Sequence, residues 1–95
     1  MRENIRDKHG DIVYLTDERW MHIVEHHPEL EDHRANVIKT IRSGKRTQDP
    51  LLPDKFYYNK RFPLLLDGYG EIEVVVLFRW QSGKPNNFVV TAYPV

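Results

Sequence analysis

The segment Trp20-Met21-His22-Ile23-Val24-Glu25-His26-His27-Pro28 holds three histidines within six positions. Histidine is the side chain whose ordinary pKa lets it take up and release a proton near neutrality, so the cluster points to proton transfer or to metal ligation. His22 and His26 stand four apart with Glu25 between them. That H-x-x-E-H spacing brings both imidazoles to one side of a helix and matches the inverted zincin pattern of zinc hydrolases. A chain without cysteine offers no evident further zinc ligand nearby. The expectation is therefore no metal and no cofactor, with His22 and His26 as the alternative metal pair.

His27 falls on a different stripe of the same helix, with Trp20, Ile23 and Val24. Arg61, Arg79, Thr91 and Tyr93, all in segments with strand character, would join it in a second kind of chemistry. A histidine beside arginines can move a proton at a phosphodiester whose growing charge the guanidinium groups hold. RNA carries its own nucleophile in the 2′-hydroxyl, so such a site needs no metal. Tyr57 and Tyr58, followed by Asn59, Lys60 and Arg61, interleave aromatic and basic groups as a single-stranded nucleic-acid platform does, and mark Tyr57, Tyr58 and Lys60 as RNA-binding candidates. Strand alternation divides that run, with Tyr57, Asn59 and Arg61 on one side and Tyr58, Lys60 and Phe62 on the other.

The elements that must position these residues follow from periodicity. Thr16 caps a first helix whose opening turn holds Asp17 and Glu18, and Pro28 disfavours helix at His27, which ends it. Asp32 caps a second helix with Val37, Ile38 and Ile41 inward and Gly44 as its stop. Residues 12–14 read as a short strand or extended entry segment, and residues 45–54 as a loop. Beyond the loop the period changes to two, which predicts strands over 56–59, 62–66, 71–80 and 87–93 and turns over 67–70 and 82–86. The fold class expected is α+β, with two N-terminal helices packed on one face of a four-stranded antiparallel sheet. Ile72, Val74, Val76 and Phe78, with Phe88, Val90 and Ala92, would face the helices. Glu73, Val75, Leu77 and Arg79, with Val89, Thr91 and Tyr93, would form the floor of a groove on the other face.

Composition bounds the partners. The chain has 95 residues and reads as a single domain over 1–95, with fourteen basic and fourteen acidic side chains. Zero net charge argues against strong nonspecific nucleic-acid binding driven by counterion release. Locally the balance differs: Arg42, Lys45, Arg46, Lys55, Lys60 and Arg61 meet only Asp49 and Asp54, which suits a phosphate-binding patch. Apolar runs of about five residues are far too short for a membrane span. With no secretory leader at the start and no cysteine, the expectation is a cytoplasmic protein without a membrane partner.

The residues also resemble a known family, the phage- and toxin-associated branch of the barnase, EndoU, colicin and RelE-like (BECR) nuclease superfamily. The phrases that carry the resemblance are Leu15-Thr16-Asp17-Glu18-Arg19-Trp20 with His22-Ile23, His27-Pro28-Glu29-Leu30, Tyr57-Tyr58, Val74-Val75-Val76 and Phe88-Val89-Val90-Thr91-Ala92-Tyr93. The resemblance implies a BECR-like domain acting as a small metal-independent ribonuclease, a toxin of a toxin-antitoxin or phage-related system. RNA would be its substrate, and an antitoxin or immunity protein its partner. His22 and His27 correspond to the helix histidines, Arg61 and Arg79 are candidates for the basic groups on the sheet, and Thr91 and Tyr93 fall in the closing motif. His26 departs from the pattern, standing where relatives often have arginine. Two other functions compete: a noncatalytic protein- or RNA-binding module of the same fold, and a zinc-dependent hydrolase using the H-x-x-E-H helix.

Overall fold

A computed structural model describes the backbone of residues 1–66 and 68–95, and the side chains of these residues apart from 64–66. Asp67, in the expected turn 67–70, lies outside the described residues. Strands β1 (Arg2–Arg6) and β2 (Ile12–Thr16) come first, then helix α1 (Asp17–His26), a 3₁₀ turn at Pro28–Leu30 and helix α2 (Arg34–Ser43). Strands β3 (Lys45–Gln48), β4 (Lys55–Leu66), β5 (Tyr69–Gln81) and β6 (Lys84–Pro94) complete the chain. They form one sheet in the order β1-β2-β6-β5-β4-β3, in which β2 and β6 run parallel and the other neighbours antiparallel. Among the described residues no helix is long and apolar enough to cross a membrane.

This overturns the expected four-stranded antiparallel sheet behind two N-terminal helices. The sheet is mixed and six-stranded, and two of its strands precede the helices. β1 and β3 escape a reading by apolar period because each is an edge strand with little to bury. In β1 only Ile5 is buried, and β3, Lys-Arg-Thr-Gln, has no apolar residue at all. The parallel pair needs a crossover, and the helices belong to it, since β2 enters the sheet before them. The separate strands over 56–59 and 62–66 are one strand, irregular in register between Arg61 and Leu66, where Pro63 lies beyond the reach of β3.

Local chemistry explains the element ends. Thr16 Oγ1 accepts the Arg19 N–H at 3.0 Å, and α1 ends one residue before His27 and Pro28. His33, rather than the expected Asp32, takes the N-cap position of α2 and makes no side-chain capping bond. Gly44 does stop α2, by an extended backbone (φ −72°, ψ 166°) rather than a left-handed turn, and the site admits no side chain: a Cβ there would lie 2.3 Å from the Thr40 carbonyl oxygen and 2.7 Å from that of Asn59. The β5–β6 turn shrinks to Ser82 and Gly83, with φ of 52° and 76°, the two positive angles of a type I′ hairpin.

The core lies between the helices and one sheet face, joining Ile23, Leu30, Val37 and Ile41 to Ile5, Val13, Leu15, Tyr58, Ile72, Val74, Val76, Val89 and Ala92. Five strand spacings would hold the edges of a flat sheet roughly 24 Å apart. Yet Arg46 on β3 reaches Asp7 at 2.9 Å and Asp11 at 2.6 Å in the β1–β2 turn at the other edge. The sheet is therefore rolled toward the helices, and a buried polar cluster fastens its edges. The Asp7 carboxylate also accepts the Tyr58 hydroxyl at 2.6 Å and the backbone N–H groups of His9 and Asp11, each at 2.9 Å. Burial alone would push this carboxyl up. The bonds from Tyr58, Asp11 and His9, with the Arg46 charge, outweigh burial and hold it below the usual carboxylate range.

Candidate active site on the open face of the sheet

The face turned away from the helices carries a groove of about 510 Å³. Its floor is Tyr57 and Lys55 of β4, Val75, Leu77 and Arg79 of β5, and Val90, Thr91 and Tyr93 of β6, and the loop residues Leu52 and Asp54 form a wall. Asp49 holds that loop down. Its carboxylate accepts the Leu51 and Leu52 N–H groups at 2.8 and 3.0 Å and the Tyr57 hydroxyl at 2.6 Å. The Tyr57 bond, followed by the backbone bonds, lowers the Asp49 pKa, and the same contact raises that of Tyr57.

A bulge in β6 decides which side chains reach the groove. Val75 pairs with Thr91 and Val76 with Val89, so Val90 is the extra residue. Strict alternation would send Phe88, Val90 and Ala92 to the helices and Val89 to the groove. Ala92 is buried in the core as expected, but Val89 is buried there too, Val90 lines the groove, and Phe88 pairs with Leu77 on the open face beside Tyr14. Thr91 and Tyr93 face the groove as expected.

His27 reaches this face because of how α1 is anchored. β2 pairs with β6 only at Val13↔Asn87 and Tyr14↔Phe88, and α1, which follows β2 directly, packs against β6 as well. The residue that caps the C-terminus of α1, His27, brings its ring to within 6.0 Å of the Tyr93 ring, at the end of the groove. Glu29 lies 3.5 Å from His27 Nδ1 and compensates charge when the ring is protonated. The Tyr93 hydroxyl donates to Glu73 at 2.6 Å. Burial and then that bond push its pKa up to about 12, so Tyr93 keeps its proton at neutral pH and acts as a donor.

The other expected members are spread out. Arg79 lines the opposite end of the groove, six positions along β5 from the partner of Tyr93, or about 20 Å at the rise of a strand. Its Nε donates to Asp54 at 2.6 Å, and among the described residues no partner engages its two terminal nitrogens. One phosphate cannot touch both His27 and Arg79. Arg61 is exposed and pairs with Glu71 across β4 and β5, at the Tyr93 end. Tyr58 is fully buried with its hydroxyl on Asp7, so it is a core residue and not part of an RNA platform. Lys60 pairs with Ile72 on the helix-facing side, which removes it from the groove as well. Tyr57 alone of the three stays on the open face.

His22 and His26 lie outside the groove. Their rings are 4.3 Å apart, and with Glu25 they form an exposed cluster whose ligand atoms all lie within 4.8 Å of one another. Glu73, Asp54 and Asp49 were not among the expected site residues. Alternation places Glu73 on the groove face but gives it no site role, because its bond to Tyr93 depends on register. No family model, curated protein or solved structure matches this chain, so its chemistry rests on its own residues.

Proposed function

We propose that this protein is a metal-independent endoribonuclease whose cleavage centre is the His27–Tyr93–Glu73 end of the groove. The observation that carries the reading is the approach of the His27 ring to Tyr93 on an otherwise open sheet face, with Glu73 on the phenol oxygen. An imidazole and a carboxylate beside one donor hydroxyl are the parts needed for in-line transfer within RNA. The 2′-hydroxyl attacks the adjacent phosphorus and loses its proton to the carboxylate. The bond to the 5′-oxygen breaks, that oxygen takes a proton from the imidazolium, and the products are a 2′,3′-cyclic phosphate and a 5′-hydroxyl. The Thr91 hydroxyl, with Arg61 nearby, would bear on the phosphoryl oxygens where charge grows, while the Tyr93 hydroxyl holds the Glu73 carboxylate in place.

The rest of the groove suits a single strand. Tyr57 offers a ring for base stacking, while Lys55 and the free nitrogens of Arg79 suit phosphates some nucleotides from the scissile bond. Arg79 thereby changes role from the transition-state stabiliser expected from sequence to a group that positions substrate. The BECR-like nuclease reading, cytoplasmic RNA as target and an antitoxin or immunity protein that covers the groove are part of this proposal.

The test is single-turnover cleavage of single-stranded RNA in the presence of a chelator, with the ends analysed for 2′,3′-cyclic phosphate. His27→Ala should lower the cleavage rate by on the order of a hundredfold with little change in melting. Arg79→Ala should raise the substrate concentration needed for half-maximal rate and leave the maximal rate nearly intact. Wild-type protein that binds RNA or a protein without producing cyclic ends would replace this reading by a noncatalytic binding module.

A further inference from the structure

The H-x-x-E-H stretch of α1 has no part in the groove, yet its geometry is that of a ligand set. Residues i, i+3 and i+4 of a helix share one face, and the ligand atoms of His22, Glu25 and His26 lie within 4.8 Å of one another. Two ligands of a tetrahedral zinc ion, each about 2.0–2.2 Å from the metal, stand roughly 3.4 Å apart. All three side chains are exposed, so rotation about their χ angles can close the remaining gap without disturbing the core.

A second contact selects the ligand atom. His26 Nδ1 lies 3.0 Å from the His22 carbonyl oxygen. A carbonyl can only accept, so Nδ1 carries the hydrogen and the neutral ring presents the lone pair of Nε2 outward. Metal-binding histidines are commonly oriented in this way, by donating the other ring N–H to a backbone carbonyl or a carboxylate. The His22 and His26 rings stand 4.3 Å apart, near enough to meet across one ion.

We propose that His22, Glu25 and His26 form a surface site for a divalent transition metal of the zinc class. Two imidazole nitrogens and one carboxylate oxygen suit Zn²⁺, Ni²⁺ or Cu²⁺ rather than Mg²⁺ or Ca²⁺, which prefer all-oxygen shells. The remaining coordination positions face solvent. The ion would staple the last turn of α1, which ends at His26 next to His27 beside Tyr93, and it leaves the groove itself free of metal. The sequence offered no evident third ligand beside the histidine pair, and the helix supplies it in Glu25.

The experiment is calorimetric titration of tag-free, metal-stripped protein with ZnCl₂, paired with melting curves. Wild-type protein should bind one equivalent and gain about 10 °C in Tm at free zinc near one hundred times Kd, while MgCl₂ gives no shift. His22→Ala and His26→Ala should each weaken binding by on the order of tenfold or more, with the metal-free protein still folded because both residues are exposed. His33→Asn should bind like wild type. Absence of zinc binding, or binding that survives both alanine substitutions or is lost in His33→Asn, would overturn the site. The readout does not involve RNA, so its failure is distinct from failure of the nuclease reading.

Discussion

Replacement of Asp7 by Asn tests whether the buried cluster fastens the rolled sheet. Asp7 Oδ1 accepts the His9 and Asp11 N–H groups, while Oδ2 accepts Tyr58 and Arg46. Asparagine can keep one oxygen toward the two backbone donors, which turns its NH₂ toward Arg46, donor against donor. The Tyr58 hydroxyl can rotate to accept, but the Arg46 bond is lost. A hydrogen bond to a charged partner contributes about 1.5–3 kcal/mol, and breaking a buried pair costs about 3–5 kcal/mol. Arg46 keeps Asp11 at 2.6 Å and is itself 19% exposed, which places the expected loss at the lower figure. We expect about 2–3 kcal/mol, against a total stability of roughly 5–14 kcal/mol for a chain of this size. Urea unfolding followed by circular dichroism measures it, and the melting point should fall by roughly 10–20 °C. In a double-mutant cycle with Arg46→Met the two losses should fail to add by at least about 1 kcal/mol. A loss under about 0.5 kcal/mol, or simple additivity, would refute the fastening role.

Three further outcomes follow from the geometry. Because the Asp7 pKa is lowered in the fold, its contribution is present above the unfolded carboxyl pKa of about 4 and is lost as pH falls through the folded value. The Tm difference between wild type and Asp7→Asn should therefore be constant from pH 7 to about 5 and shrink below about pH 4; a gap independent of pH would contradict this. Gly44→Ala must displace the Thr40 or Asn59 carbonyl and should cost about 1–3 kcal/mol in urea unfolding, whereas an unchanged midpoint would show that the α2–β4 junction yields freely. Tyr58→Phe removes one bond to Asp7 while preserving the ring in the core, so a loss of about 1–2 kcal/mol is expected by the same measurement.

The features that the sequence determined by itself are local ones. The Thr16 cap, the end of α1 before Pro28 and the separation of Tyr57 from Tyr58 onto opposite faces depend on backbone geometry within a few residues, so residue type and spacing suffice. The helix-facing set Ile72, Val74 and Val76 was legible for the same reason, because a buried central strand must alternate. Edge strands bury too little for a pattern, which is why β1 and β3 became visible only as partners of β2 and β4. The register of β6 belongs to the tertiary structure too, for a bulge of one residue exchanges Val89 with Val90 between core and groove at almost no cost in composition. Tertiary structure also decided the site: histidine, tyrosine and arginine could all be named in advance, but the packing of α1 on β6 set His27 beside Tyr93, and the β5–β6 register left Arg79 some six strand positions away. Chemical identity is written residue by residue. Proximity between distant residues is created only when the chain closes on itself, because it depends on how each strand pairs with its neighbours.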